Sequence, residues 1–387
     1  MGRFFVSVQP GHEDALFREI RNFWPQMIDL DGQPTKQPVA EPLKTAGGLQ
    51  LEVPDHMGYQ INFFSKLAGR VLLRLTSFEA RYFDQLERNL EKVDLAKVLD
   101  LDFLKKQLNV KVEHHKSRLN NEKNILEAVQ NVFSKKGIKI SAEASQTLYI
   151  RIEKDKVTIS LDTTGEHLHR RGYSTFRGEA PLRETLAGYM IFKLFETIGS
   201  EAAVQIFDPF AGSGTLLFEA MSAHRPNLER DYSWLHFKTA PKLFKSPTWK
   251  KNYRGYSTVP AVSGFAVDKD EKSIASIQKN TEDFKRTFQF EKIPLTSELA
   301  DSANIDLKPF KNADQLLWIV TNPPYGMRLA DDGAKKILEK LAEDADGLLV
   351  IHPEKWKFSI KNLTQKSTEV FNNQGLKLTL SVFTKNQ

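Results

Sequence analysis

VQIFDPFAGSGT, residues 204–215, begins as a short apolar run and ends in two glycines, and TLLFEAMSAH, its continuation from Thr215, has the look of a helix. A strand, a glycine turn and a helix in that order let the backbone approach a ligand closely. The same texture continues to the end of the chain. GFAVD, IPLTSEL, LLWIVTNPP and GLLVIHP are short apolar runs, and DEKSIASIQKNTEDF and GAKKILEKLAED lie among them as helices. Such alternation predicts an α/β domain with a mainly parallel sheet covered on both faces. LKLTLSVFTK closes it as a strand paired with TEVFN across NNQG. This domain is expected over residues 178–387.

NPPYG, residues 322–326, follows directly on LLWIVT. In an open α/β sheet, ligands sit beyond the carboxyl ends of strands, and two strand ends here carry unusual loops. The Asn322 side-chain oxygen and the Pro323 carbonyl are acceptors that can take the hydrogens of an aromatic amine. Held at tetrahedral angles, they would localise a lone pair that the ring otherwise withdraws. Pro323 and Pro324 stiffen the backbone so the acceptors are placed in advance. Tyr325 offers a face on which a base can stack. Alone, Asn-Pro is an ordinary turn former; its pairing with the glycine loop makes it a candidate catalytic loop. The glycine loop has neither GK[ST] nor the longer pyrophosphate pattern, which favours a cofactor with a zwitterionic methionine end over a nucleotide phosphate.

Upstream the chain reads differently. To about Phe78, HEDALFREIRNF is amphipathic at helical spacing, with Ala15, Leu16, Ile20 and Phe23 on one side, and Leu49, Leu51 and Val53 alternate as in a half-buried strand. Residues 1–78 therefore read as a small α+β unit. In residues 79–171, NVKVEHH is a strand, NEKNILEAVQNVFSKKG a helix ending at Gly137, and TLYIRIEKDKVTISLD a hairpin. Basic residues gather there: Lys111, His114, His115, Lys116, Arg118 and Lys123, then His167, His169, Arg170 and Arg171. They form either a solvated face or a phosphate-tracking surface. Residues 227–256, rich in Lys, Pro and aromatics, read as an inserted surface segment.

The 55 Lys and Arg against 49 Asp and Glu give a net charge of +6, which suits either a polyanionic partner or an ordinary basic enzyme. With no cysteine, there is no disulfide framework, no thiolate metal site and no cysteine nucleophile. No apolar run reaches the ~18 residues of a membrane span, and the start lacks a secretory pattern. A cytoplasmic protein with no membrane partner and no metal is expected.

DPFAGSGT plus NPPYG resembles the amino-methyltransferase branch of the class I S-adenosylmethionine-dependent enzymes. SLDTTGEHLHRRGYSTFRGEAPLRETLAGYM is similar to the junction between a THUMP domain and its catalytic domain, and RVLLRLTSFEA and SRLNNEKNILEAV resemble the body of that RNA-binding region. The chain looks closest to bacterial large-subunit rRNA guanine-N2 methyltransferases and their single-catalytic-domain relatives. The resemblance implies a ferredoxin-like region over 1–78, a THUMP domain over 79–171 and a Rossmann-like catalytic domain. It implies S-adenosyl-L-methionine as cofactor, lined by Asp208, Pro209, Phe210, Gly212, Gly214 and Thr215, with Glu184 and Thr185 near the methionine end. Val267 and Asp268 join the set at the second strand, and Asp301 would face the adenine amine. Lys111, His114, Lys116, Arg118, Arg170 and Arg171 become the RNA-binding candidates.

One position departs from the family pattern. Where an acid normally receives the ribose hydroxyls, Ala266 stands, two places before Asp268; strand residues two apart share a face, so Asp268 either substitutes or caps the next helix. The expected reaction is methylation of a guanine N2 amine in structured RNA, with 23S rRNA the leading substrate. N6-adenine methylation of RNA or DNA, guanine-N2 methylation of tRNA, and a non-catalytic RNA-binding or assembly role are the alternatives. Methylation at pyrimidine C5 by its usual route needs the cysteine this chain lacks.

Overall fold

The structure, a computed structural model, describes residues 1–173, 176, 182–253, 262–324, 333–373 and 376–385. The chain divides into two compact units. One comprises Met1–Leu168 with Arg230–Gly255, the other His169–Glu229 with Tyr256–Gln387.

The first unit is built on an eight-stranded sheet. In chain order its elements are β1 (Gly2–Ser7), α1 (Glu13–Phe23), β2 (Leu43–Thr45), β3 (Gly48–Val53), α2 (Asp55–Phe64), β4 (Arg70–Glu79), α3 (Phe83–Glu91), β5 (Gln107–His115), α4 (Glu122–Lys135), β6 (Lys139–Ile140), β7 (Thr147–Glu153) and β8 (Lys156–Asp162). The strands are ordered β2-β3-β1-β4-β8-β7-β5-β6. β4 pairs with both β1 and β8, so the sheet runs unbroken across positions 78 and 79. Period-2 alternation puts Phe4, Val6, Leu73, Leu161, Leu148 and Val110 on one buried face. α4 starts where the Asn121 side chain accepts from the Asn124 N–H at 3.1 Å, and the chain leaves it through Gly137 at φ +74°. The β7–β8 hairpin turns on Lys154 and Asp155, both at positive φ, the geometry that matches strand twist.

The segment expected over 227–256, described as far as Tyr253, is not a surface segment. Tyr232, Trp234, Phe237, Phe244, Trp249 and Tyr253 are all buried, several of them against α2. Trp234 stacks on Tyr59 at 4.9 Å, Trp249 stacks on Phe63 at 5.2 Å, and the Tyr253 hydroxyl donates to Gln60 Oε1 at 2.5 Å. Lys238, Lys242 and Lys245 face solvent around a single helical turn, α7 (Lys242–Lys245). A lysine-rich composition thus conceals an apolar face, because the aromatics all turn one way.

The second unit contains α5 (Glu184–Ile198), β9 (Val204–Asp208), α6 (Thr215–Ser222), β10 (Val262–Asp268), α8 (Glu271–Phe288), β11 (Leu295–Leu299), β12 (Leu316–Thr321), α9 (Gly333–Ala342), β13 (Gly347–Pro353), β14 (Thr364–Asn373) and β15 (Leu376–Thr384). Its sheet is ordered β11-β10-β9-β12-β13-β15-β14. β9 to β13 are parallel, whereas β15 is antiparallel to both β13 and β14. The strand after β9 is laid on one side of it and β12 on the other. The order therefore reverses between β9 and β12, which opens a crevice at their carboxyl ends. Phe207, Phe265, Ile319, Leu348 and Val350 centre the core below it, with Phe207 and Phe265 stacked at 5.6 Å. Among the described residues, no helix is long and apolar enough to cross a membrane.

Replacing Trp234 by Ala is expected to destabilise the protein by about 3–5 kcal/mol in urea unfolding, as for a buried aromatic. A surface segment would lose no more than about 0.5 kcal/mol.

Candidate active site

The crevice between β9 and β12 receives both loops singled out in the sequence. β9 ends at Asp208, which is 2% exposed, and β12 ends at Thr321, which is fully buried. The Thr321 hydroxyl donates to Asp208 Oδ1 at 2.7 Å, and the Phe210 N–H reaches the same oxygen at 3.1 Å. The roots of the two loops are thus tied together. Burial, with the charge of Asp268 adding to it, pushes the Asp208 carboxyl up to about 7.

The glycine loop is held from several sides. The Gly212 N–H donates to Asp268 Oδ2 at 2.9 Å, the Ala211 N–H to the Val267 carbonyl at 3.1 Å, and the Ser302 hydroxyl to the Pro209 carbonyl. Asn280 of α8 donates to the Ser213 carbonyl at 3.3 Å and also bonds both backbone groups of Phe176. Gly212 and Gly214 sit at φ +53° and +81°, where side chains are strained. A Cβ on Gly214 would meet Phe218 of α6 at 3.0 Å and Ile277 of α8 at 3.2 Å, so this glycine lets α6 start against α8. A Cβ on Gly212 would meet nothing within 4 Å, so this glycine borders open space. Thr215 is buried as the first residue of α6, with its hydroxyl 3.3 Å from that of Ser213.

Asn322 follows Thr321. Its Oδ1 is buried and, among the described residues, has no hydrogen-bond partner, an acceptor left open where buried acceptors are normally paired. Pro323 is buried and Pro324 half-buried; Tyr325 lies outside the described residues. Ala266 is fully buried and carries no polar group to offer. Asp268 accepts from Gly212 and, through Oδ1, from the Asp270 N–H at 2.9 Å. The cap of α8 is Asp270, so Asp268 braces the glycine loop instead. Val267 is fully buried in the core. Asp301 is exposed, and its carboxylate caps a 3-10 turn by accepting from Ala303 at 3.0 Å. Glu184 is buried at the start of α5, and Thr185 beside it is half-buried.

The basic candidates of the first unit do not share one face of its sheet. Lys111 and His114 are exposed on β5, three residues apart and so on opposite faces. Lys116 is exposed in a turn at φ +48°, and Arg118 donates to the Tyr82 hydroxyl at 2.7 Å. Arg170 is exposed in the second unit. Arg171 is a correction. It is 4% exposed, and its Nε lies 3.1 Å from Glu219 Oε1, which also accepts from Tyr173 at 2.5 Å. Burial opposes its charge, but Glu219 more than offsets this and holds the guanidinium above its usual range. It braces α6 from within and cannot reach RNA. His352 is likewise interior, bonded to Ser381 at 2.9 Å.

Thr321, Ser302 and Asn280 were not singled out in the sequence. Asn280 carried a signal: it interrupts the stripe Ile274, Ile277, Phe284 and Phe288 with a polar side chain at a buried helical position.

An open sheet that reverses between β9 and β12, with a glycine loop and an acceptor-bearing proline loop at the reversal, is a Rossmann-like class I methyltransferase architecture. Residues 171–378 match the family described as RMKL-like, methyltransferase domain, and this chain belongs to it. The ribosomal RNA large subunit methyltransferase K/L of Marinomonas sp. (strain MWYL1) is 28% identical over 320 residues, 78% of this chain and 42% of that protein. The chain therefore spans about two-fifths of the length of that curated relative. Among solved structures, a possible methylase from Clostridium difficile 630 superposes with a TM-score of 0.74 at 24% identity, covering 100% of this chain and 98% of that one. SMU.472, solved in complex with SAH, gives 0.73 at 20% identity, covering 100% and 98%. The cofactor is S-adenosyl-L-methionine. The site fits it: Gly212 leaves open space at the loop, two carboxylates stand at the strand ends, and Asn322 Oδ1 is open. Among the described residues, no group of three or more His, Cys, Asp or Glu side chains could hold a metal ion.

Because the Asp208 carboxyl is raised from 3.8 to about 7, the folded state keeps a proton that the unfolded chain releases near pH 4. The stability this confers is fully present below pH 4 and is lost as pH rises through 7. Asp208→Asn should abolish that component. The melting temperature of the wild type should fall relative to the variant between pH 5 and pH 8, and a constant difference would refute the shift.

Proposed function

We propose that this protein methylates the exocyclic N2 amine of a guanine in structured RNA, with large-subunit ribosomal RNA as the substrate. The observation that carries the reading is the open, buried Oδ1 of Asn322, tied through Thr321 to the glycine loop. An aromatic amine is a poor nucleophile because its lone pair is delocalised. Asn322 Oδ1 and the Pro323 carbonyl accept its two hydrogens and localise the pair toward the methyl donor. S-adenosyl-L-methionine, when bound, supplies an electrophilic methyl group on a sulfonium. Gly212 and Gly214 hold the loop against it, Asp208 and Asp268 present oxygens at the strand ends, and the buried proline step keeps the acceptors fixed. Glu184 and Thr185 belong to the methionine end and Asp301 to the adenine end of this reading, and Tyr325 would stack the base. The amine proton leaves after attack, so neither a general base nor a metal is required.

Ribosomal RNA as substrate is supported by the Marinomonas relative, whose name specifies the large ribosomal subunit. Residues 1–78 are assigned as ferredoxin-like, 79–171 as a THUMP domain that binds the RNA, and 178–387 as the catalytic domain. Lys111, His114, Lys116, Arg118 and Arg170 are the RNA-facing candidates, and the protein works in the cytoplasm with its substrate.

Nucleoside mass spectrometry of ribosomal and transfer RNA, with and without the gene, tests the reading. Loss of N2-methylguanosine from ribosomal RNA is expected; loss of N6-methyladenosine would overturn the base, and no change would overturn catalysis. Asn322→Ala should lower kcat about 10²–10³-fold, with S-adenosylhomocysteine affinity in calorimetry unchanged.

A further inference from the structure

The face of the first unit's sheet opposite its buried side carries an ordered row of side chains. Cross-strand register places Arg3 of β1 opposite Arg74 of β4, Arg74 opposite Ser160 of β8, Ser160 opposite Tyr149 of β7, and Tyr149 opposite Lys111 of β5. Five neighbouring strands thus contribute one residue each to a line perpendicular to the strands. At about 4.8 Å per strand the row spans about 19 Å. Arg3 and Lys111 are exposed, Arg74 and Tyr149 half-buried, and Ser160 between them buried.

Two features of the row are costly for a sheet that merely has to fold. Arg3 and Arg74 are direct cross-strand neighbours, and like charges in that position are destabilising. Among the described residues, neither has a carboxylate within ion-pair distance. Arg74 donates to the neutral Gln50 amide and lies 4.7 Å over the Phe5 ring. Burial, then Arg151 and then Arg3, draws its guanidinium below its usual range. The remaining members, Ser160, Tyr149 and Lys111, add a hydroxyl, an aromatic ring and a further cation, with Lys111 Nζ 5.9 Å from the Tyr149 ring. From Arg3 to Lys111 the row contains no carboxylate. The acids of this face stand beside it: Glu52 of β3 directly opposite Arg3, Glu113 and Glu153 flanking Arg151, Glu79 at the end of β4, and Asp162, buried and paired with Arg70, two residues from Ser160.

We propose that this row is a track for the phosphodiester backbone of the RNA substrate, running across the strands with phosphates at Arg3 and Arg74. The inference rests on the reading of the protein as an RNA-modifying enzyme, and it names a surface that Lys111 alone did not reveal. A polyanion relieves the Arg3–Arg74 repulsion, and an aromatic ring in line with cations suits a chain of alternating phosphates and bases.

The test is fluorescence anisotropy with a labelled single-stranded twelve-residue oligouridylate, using the full chain without S-adenosylmethionine so that methylation plays no part. Arg3→Gln/Arg74→Gln should bind about tenfold more weakly at 100 mM salt. Its slope of log affinity against log salt should flatten by about 1.4, roughly 0.7 for each phosphate that is no longer neutralised. Arg3→Gln alone, which disturbs no hydrogen bond, should flatten it by about 0.7. The charge-matched Lys272→Gln/Lys336→Gln should change affinity by less than about twofold. The melting temperature of Arg3→Gln should stay close to that of the wild type, because the repulsion from Arg74 and the attraction of Glu52 are removed together. Unchanged affinity and slope in the arginine variants would overturn the proposal. So would an equal loss in the lysine control, no wild-type binding, or wild-type binding of oligoglutamate as tight as that of RNA. Loss of oligouridylate binding alongside an unchanged cellular nucleoside profile would leave the track standing and remove only the methylation reading.

Discussion

The 2.7 Å hydrogen bond from Thr321 to Asp208 crosses the point where the second unit's sheet changes direction. Parallel strands on either side of such a reversal diverge at their carboxyl ends, and that divergence opens the crevice. Without a tie, the loops leaving β9 and β12 would be positioned only by their own turns. With it, the residue before Asn322 and the first residue of the glycine turn share one buried contact. The Asp208 carboxyl is raised by its burial, yet an acceptor for Thr321 is needed there, since a buried hydroxyl without a partner is itself unfavourable. The remaining braces of the glycine loop, from Asp268, Ser302 and Asn280, come from three further elements. Loop position is therefore set by the whole sheet and not by local propensity.

Each unit is closed by a long-range contact. In the first, the aromatic segment from Tyr232 to Tyr253 returns to the chain's opening 168 residues and stacks on Tyr59 and Phe63, more than 160 residues away in sequence. In the second, Arg171 reaches Glu219 in α6 inside a fully buried pair supported by Tyr173. Truncating either partner would strand a buried charge, the costly way to break such a pair. The opening residues of the stretch that matches the methyltransferase family are thus fixed to the helix that follows the glycine loop.

Much of this was legible in the sequence, and the reasons differ by residue. The strands of the second unit are legible because they are buried on both faces and so read as continuous apolar runs, which is why β9, β10, β12 and β13 fall where those runs fall. Asp208, Gly212, Gly214 and Asn322 were legible because their chemistry is unusual for the local structure: positive φ at a strand-to-helix turn, and an amide ahead of two prolines. Thr321 and Ser302 were hidden because a hydroxyl that bonds a neighbour across space looks like any other. The segment 227–256 was misread because Lys and Pro set its average character while the side chains that matter all face inward. Asp268 had two readings, ribose acid or helix cap; the cap of α8 is Asp270, and Asp268 accepts from Gly212, a contact that the sequence did not show.

The basic residues make the same point about charge. A net charge of +6 in 387 residues is too small to define a partner, because the count treats every arginine alike. Arg171 is neutralised in the interior, Arg70 is paired with the buried Asp162, and Arg118 is held by the Tyr82 hydroxyl. Arg3 and Arg74 are different: they are adjacent by strand register and, among the described residues, neither has a carboxylate within ion-pair distance, Glu52 standing opposite Arg3 on β3 without closing on it. Clustering along the sequence could not reveal them, since 71 positions separate them. Pairing in the sheet brings them together, and their mutual repulsion in the free protein makes an anion the natural third member of the group.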